Sequence, residues 1–228
     1  MKARPCGAVL WLILPLLSLL TVLAVGASRS LAVEQRATRN LAEQRALWLA
    51  AMQALQAAER RVLALNAYFD GELANGRGKP WQGDGRVPGW FMPDCLSAGG
   101  GLGDGLCATA PALWRRSAVV QGRRWPLLHP CGASRSLAAE NGRVAGVCVP
   151  PRPRAGQPWS APRYLVELLN PAFRPADGAN GRLYRISLRV WGDNEGRALT
   201  LQSWFWAGAG ARAQQGGRLN WRQAEEEE

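Results

Sequence analysis

The sequence contains 228 residues, enough for one folded domain beside a long helix and too few for a second domain of ordinary size. An apolar fraction of 47% excludes a largely disordered chain, and a single histidine argues against a zinc site. The formal net charge is +11, and all but two of the 28 basic residues are arginine. That excess fits either phosphate contact or the codon usage of a GC-rich genome, so nucleic-acid binding stays open.

An uncharged apolar run, residues 8–27, opens the chain after a short basic leader that contains Lys2 and Arg4 and ends at Gly7. Three interpretations fit it. It is a signal peptide cut near residues 25–27, or an uncleaved membrane anchor, because about 20 apolar residues can cross a bilayer. Alternatively it follows a prepilin-type leader, cleaved after Gly7 so that the mature chain begins at Ala8 and keeps its apolar helix. Residue pattern alone does not separate the last two.

A helical pattern continues from this run to about Leu65 and carries a seven-residue repeat of large apolar side chains. Its members are Leu41, Trp48, Leu55, Val62 and Phe69. This spacing predicts a seam that packs on another helix, as in a coiled coil or bundle. In the C-terminal half, packing on a sheet of the same chain is the favoured alternative.

Four cysteines lie in the part of the chain that follows the helix: Cys95, Cys107, Cys131 and Cys148. An even number in an exported protein predicts two disulfides, and the spacing leaves all three pairings open. The cysteines therefore favour an oxidising compartment. They also leave no candidate nucleophile beside the isolated His129, so no enzyme activity and no cofactor is predicted.

Alternating apolar and polar residues predict strands in the same region. The clearest are residues 163–168, 183–191 and 197–206, and the last two predict an antiparallel hairpin across a Gly-rich turn. Shorter candidates are residues 117–121 and 144–149. Residues from about 207 onward, which end in four glutamates, are predicted to be disordered.

Two separated blocks resemble the PilX-type minor pilins of type IV pili. Residues 34–41 and 47–59 resemble that family's E-R-M-A-G-N-L and A-F-Q-A-A-E-A-A-L-R-A-A-E stretches, with Trp48 at the aromatic position, Leu55 at the leucine and Glu59 at the final glutamate. Nearer the C-terminus, residues 162–167, 184–189 and 201–203 resemble its P-R-Y-x-x-E, Y-R-I-x-x-R and L-Q-S elements. The blocks cover roughly half of the chain.

Two positions depart from the pattern. Met52 stands where the family has its first glutamate, and Leu12 occupies the fifth position after Gly7, where major pilins carry a glutamate. That glutamate is thought to pair with the amino terminus of a neighbouring subunit, and a carboxylate without such a partner is costly in an apolar surrounding. Leu12 therefore favours a minor subunit placed where the filament begins.

The resemblance implies an α+β, type IV pilin-like fold, in which a long N-terminal helix with a membrane-spanning first half packs on an antiparallel sheet with disulfide-tied loops. The implied segments are a leader (1–7), a transmembrane and filament-core helix (8–27), its amphipathic continuation (28–66), a globular head (67–206) and a disordered tail (207–228). Before assembly the chain would cross the inner membrane once, with a periplasmic head, and afterwards it would lie at the pilus tip.

The implied function is initiation or assembly of type IV pili. Gly7 and Ala8 would be the sites of processing and methylation. The side chains that would pack between helices are Leu12, Leu41, Trp48, Leu55 and Val62. The implied partners are prepilin peptidase, an inner-membrane assembly platform, the other minor pilins, the major pilin and a tip adhesin. Two alternatives stay open: a minor pseudopilin of a type II secretion system, and a single-pass envelope protein unrelated to pili.

Overall fold

A computed structural model describes residues 8–76, 90–96, 104–138, 156–175 and 180–224, and within the N-terminal helix it describes the side chains of residues 13–23 and 34–76. The chain divides into two compact units, Met1–Ala46 and Leu47–Glu228. Gly7, Cys148 and the strand predicted at residues 144–149 lie outside the described residues.

One helix, α1, runs from Ala8 to Ala74 and contains Pro15. Among the described residues, no helix combines the length and the apolar composition that a membrane crossing requires. The prediction of a membrane-spanning first half is therefore wrong, and the single pass through the inner membrane is not supported.

Eight strands are present in the described part of the chain. They are β1 (Leu106–Cys107), β2 (Ser117–Val120), β3 (Arg123–Pro126), β4 (Arg135–Ser136), β5 (Arg163–Phe173), β6 (Gly181–Trp191), β7 (Ala198–Gly208) and β8 (Gly216–Gln223). Six form one sheet in the order β1-β5-β6-β7-β8, with β4 also paired to β5, whereas β2 and β3 form a separate two-stranded sheet.

The main sheet is mixed, so the prediction of an antiparallel sheet is wrong. The short strand β1 runs parallel to β5, with Leu106 opposite Val166, while the other pairs are antiparallel. Only two residues of β1 pair with β5, and one of them, Cys107, is joined to Cys95 by a disulfide. So short a strand carries no periodic signal in the sequence.

The predicted hairpin near the C-terminus is confirmed. Strands β6 and β7 pair without interruption from Gly181 opposite Gly208 to Trp191 opposite Ala198. The prediction of a disordered tail from residue 207 is wrong for the described residues 207–224. There β7 ends at Gly208, a short 3-10 turn follows at Gly210–Arg212, and β8 pairs with β7 at the sheet edge.

Two apolar clusters support the larger unit. In the first, the buried face of the helix packs on the sheet; its central residues include Leu55, Val62, Ile186, Leu188 and Leu201. In the second, the Cys95–Cys107 disulfide packs with buried residues of β2 and of the segments that flank the β2–β3 ribbon, among them Leu113, Trp114, Val120 and Leu127. The C-terminal half of the predicted seam thus packs on the sheet of its own chain.

Candidate subunit-assembly site

Glu59 joins the helix to the two C-terminal strands of the sheet. Its side chain is nearly buried, and Oε1 accepts a hydrogen bond of 2.7 Å from the hydroxyl of Ser203 on β7. Arg218 on β8 donates from Nε to Oε1 at 2.7 Å and from Nη2 to Oε2 at 2.9 Å. Because both carboxylate oxygens are satisfied, the charge is compensated at a site that water scarcely reaches.

Asn66, two helical turns further on, is fully buried and uses all of its hydrogen-bonding capacity. Its Nδ2 group donates to the carbonyl oxygens of Gly208 and Ala213, both at 2.8 Å. Its Oδ1 accepts from Arg182 Nη1 at 2.8 Å and from the hydroxyl of Tyr184 at 2.9 Å. One amide therefore fixes β6, the end of β7 and the following turn to the helix.

Asp70 completes this contact one turn later. Its Oδ1 pairs with Arg182 Nη2, and its Oδ2 accepts a hydrogen bond of 2.8 Å from the backbone N–H of Gly210. Burial raises the pKa of Tyr184 well above its ordinary value, so its hydroxyl stays protonated and donates to Asn66. We call Glu59, Asn66 and Asp70 the helix anchor residues.

A second buried ion pair joins β5 to β6 on the sheet face opposite the helix. Glu167 and Arg185 are directly opposite each other, and the guanidinium donates from Nε to Oε2 at 2.7 Å and from Nη2 to Oε1 at 2.5 Å. Arg185 Nη2 also donates to the carbonyl oxygen of Ala110 at 3.0 Å. Glu167 has no exposed side-chain surface, so the pair lies in a desolvated environment.

A different surface lies near the N-terminal end of the helix. Every large apolar side chain from Ile13 to Leu23 is exposed, with exposed fractions between 43% and 69%. Leu41 and Leu49 are also more than half exposed. A helical segment that is apolar on all sides is stable only when other apolar groups cover it. We call residues 13–23 the apolar helix segment.

The residues predicted to mediate helix packing have different surroundings. Ala8 begins α1, and Leu12 lies within it, but their side chains are outside the described set. Leu41 is exposed, whereas Trp48 is half-buried and meets Trp221 of β8 edge to face, with ring centroids 5.3 Å apart. Leu55 and Val62 are buried against the sheet, so they are not available to another chain.

The cysteines follow the expected disulfide pattern as far as the described residues extend. Cys95 and Cys107 are joined, which ties Cys95 to β1. Cys131 also forms a disulfide, and Cys148 lies outside the described residues. Among the residues that are described, no group of His, Cys, Asp and Glu side chains is arranged to hold a metal ion.

His129 is buried between aromatic rings, where it has a structural role. It stacks on Trp125 with centroids 4.6 Å apart, and its Nδ1 accepts a hydrogen bond of 3.0 Å from the backbone N–H of Cys131. Burial lowers its pKa; the carboxylate of Glu195, 3.7 Å from Nε2, opposes that shift, and Arg163 and Arg189 add to it. The neutral imidazole is therefore favoured in the folded state.

Comparison with protein-family models, with curated proteins and with solved structures finds no match for this chain. The expected type IV pilin-like fold therefore has no support from a similar solved structure. The resemblance of the sequence blocks to PilX-type minor pilins stays a prediction.

Proposed function

We propose that this chain is a minor subunit in the initiation or assembly of type IV pili, at or near the filament tip, where it would support pilus-dependent motility, adhesion or DNA uptake. Its proposed partners are the other minor pilins, the major pilin, a prepilin peptidase, an inner-membrane assembly platform and a tip adhesin.

The observation that carries this proposal is the contact between residues of the separated sequence blocks. Glu59, the last glutamate of the helical block, accepts a hydrogen bond from Ser203 of the L-Q-S block. Glu167 of the P-R-Y-x-x-E block is paired through both oxygens with Arg185 of the Y-R-I-x-x-R block. Chance similarity in separate blocks gives no reason for their polar residues to pair, so these contacts support a common structural origin for the pattern.

The apolar helix segment supports an assembly role. Its eight large apolar side chains, from Ile13 to Leu23, are all exposed to solvent in the single chain. Burying one such side chain contributes about 1.5–3 kcal/mol, so the segment as a whole provides a strong driving force for association. In the proposed filament, the helices of neighbouring subunits cover it.

The disulfides support assembly outside the cytosol. The described residues contain the Cys95–Cys107 disulfide, and Cys131 is also disulfide-bonded. Disulfides persist in oxidising compartments and are rare in cytosolic proteins. An extracellular filament meets that condition.

The first experiment is mass spectrometry of the mature N-terminus, with the protein purified from its native cells. The proposal expects a chain that begins at Ala8 and carries one methyl group on its amino terminus. A terminus at Met1 or at Ser28 would contradict it, because neither results from cleavage after Gly7.

The second experiment tests the apolar helix segment in cells that lack the gene. Leu16→Arg combined with Leu20→Arg should abolish complementation of surface filaments, while the thermal unfolding of the purified variant stays that of the wild type. Leu219→Arg, at an exposed leucine of β8, is the matched control and should restore filaments. If cells with the double variant carry a normal number of filaments, the assembly role is refuted. If those cells lose protein secretion but keep their filaments, the chain is instead a pseudopilin of a secretion system.

A further inference from the structure

The two tight arginine pairs of the sequence meet on one exposed ribbon. Arg115 and Arg116 lie just before β2, and Arg123 and Arg124 begin β3, which pairs antiparallel with β2. All four side chains are exposed. We call residues 115–126 the basic ribbon.

The ribbon has a fixed shape. Its turn residues, Gln121 and Gly122, have φ values of 53° and 75°, the conformation of a two-residue type I′ turn that matches the twist of paired strands. At its base, the backbone N–H of Leu127 donates to the carbonyl oxygen of Arg116 at 2.8 Å. Ala118 and Val120 pack into the disulfide-supported apolar cluster, so the arginines extend from a rigid platform.

Carboxylates are scarce around three of the ribbon arginines in the described part of the chain. From residue 105 to residue 139 the sequence contains no aspartate or glutamate. Within the described part of the chain, no carboxylate lies at ion-pair distance from Arg116, Arg123 or Arg124. Arg115 lies over the ring of Trp114, with its guanidinium carbon 4.8 Å from the ring centroid. The exposed positive charge of the basic ribbon is therefore suited to bind an anionic partner.

We propose that the basic ribbon binds the phosphate backbone of double-stranded DNA. A guanidinium group pairs with phosphate through two parallel hydrogen bonds, and a duplex presents phosphates at short, regular intervals along both strands. Arg124 lies opposite Val119 on the outer face of the ribbon, whereas Arg123 lies opposite Val120, on the face that packs on the apolar cluster, and is itself exposed. A duplex would therefore lie against the outer face and the edge of the ribbon.

The composition of the ribbon favours DNA over a lipid surface. Peripheral membrane surfaces combine basic residues with large apolar side chains that enter the bilayer. Here the only exposed large apolar side chain among residues 115–126 is Val119, because Trp125 is half-buried on His129. The ribbon contacts are independent of the filament role, and DNA binding is measured on the purified chain, so failure of one proposal is distinguishable from failure of the other.

The test compares two triple variants of the full chain with equal loss of charge. Arg116→Gln, Arg123→Gln and Arg124→Gln change the ribbon. The control, Arg60→Gln, Arg174→Gln and Arg212→Gln, changes exposed arginines on the helix, after β5 and in the 3-10 turn. Fluorescence anisotropy with a labelled duplex of about 25 base pairs, measured over a series of salt concentrations, reports the affinity and its salt dependence.

The wild type and the control should bind within about twofold of each other, and the ribbon variant should bind about tenfold or more weakly at about 0.1 M salt. The slope of log K against log salt should decrease in magnitude by about 2 to 3, because each lost phosphate contact contributes about 0.9. Circular dichroism must give the same melting temperature for all three proteins. Equal weakening of both variants, no binding by the wild type, or equally tight binding of anionic phospholipid vesicles would overturn the proposal.

Discussion

Replacing Glu167 by glutamine tests the buried pair between β5 and β6. The glutamine keeps the shape but removes the charge, and its amide group faces the donors of Arg185. Removing one member of a buried pair costs about 3–5 kcal/mol, because the remaining charge is left without compensation. Glu167 has no exposed side-chain surface, but 16% of the Arg185 side chain reaches solvent, so the lower end applies and we expect a loss of about 3 kcal/mol.

Thermal unfolding followed by circular dichroism, with the disulfides intact, measures this loss. For a unit of this size 1 kcal/mol corresponds to about 2–4 °C, so E167Q should unfold about 6–12 °C lower. Asp193→Asn is the matched control, since its pair with Arg197 is exposed and 3.9 Å long, and its shift should stay below about 2 °C. The double variant Glu167→Leu with Arg185→Met should be more stable than E167Q. Equal melting temperatures for E167Q and the wild type would refute the reasoning.

Three further predictions concern single sites. Burial lowers the pKa of His129 below 6.5, so the unfolded chain takes up this proton at a higher pH than the folded chain does. The free energy of unfolding, measured by urea titration at each pH, should therefore decrease as the pH falls below about 6.5. His129→Gln should abolish that dependence. Cys95→Ser with Cys107→Ser should lower the unfolding free energy by about 3 kcal/mol, and an unchanged calorimetric melting temperature would contradict this. Gly132→Ala should cost about 1–3 kcal/mol in denaturant titrations, because its Cβ would overlap the carbonyl oxygens of Pro126 and Leu127. An unchanged midpoint would contradict this.

The strands that the sequence predicts best are those with one buried face. In β6, Tyr184, Ile186 and Leu188 face the helix and alternate with polar residues, so periodicity located the strand and its hairpin partner. Strand β5 was predicted to end at Leu168 but continues to Phe173, past register shifts that surround Asn170. A strand with irregular pairing has no regular alternation, and its length is therefore not visible in the sequence.

The alternation of apolar and polar residues does not predict strand β8, for a different reason. It lies at the sheet edge and is largely exposed, and the side chains that meet the helix are Arg218 and Trp221. A strand that contributes an arginine and a half-exposed tryptophan to its inner face does not alternate in hydrophobicity. Only the partner residue Glu59 on the helix explains the arginine, and that pairing spans 159 positions of sequence.

The sequence does contain a signal that the helix anchor residues are buried. Glu59 and Asn66 follow the buried Leu55 and Val62 by four positions each, and Asp70 follows Asn66 by four, so they fall within the same helical stripe. Polar residues in an apolar stripe are buried only when hydrogen-bond partners face them. The identity of those partners depends on strand register, which local pattern does not determine.

The helix anchor residues also determine how the larger unit responds to tension. Glu59 and Asp70 are eleven positions apart, about 16 Å along the helix axis, and Asn66 lies between them. A pull along that axis strains all three sets of contacts at the same moment, as in shear, whereas a pull across it would open them one after another. We therefore expect the larger unit to resist load applied along its helix more strongly than load applied across it.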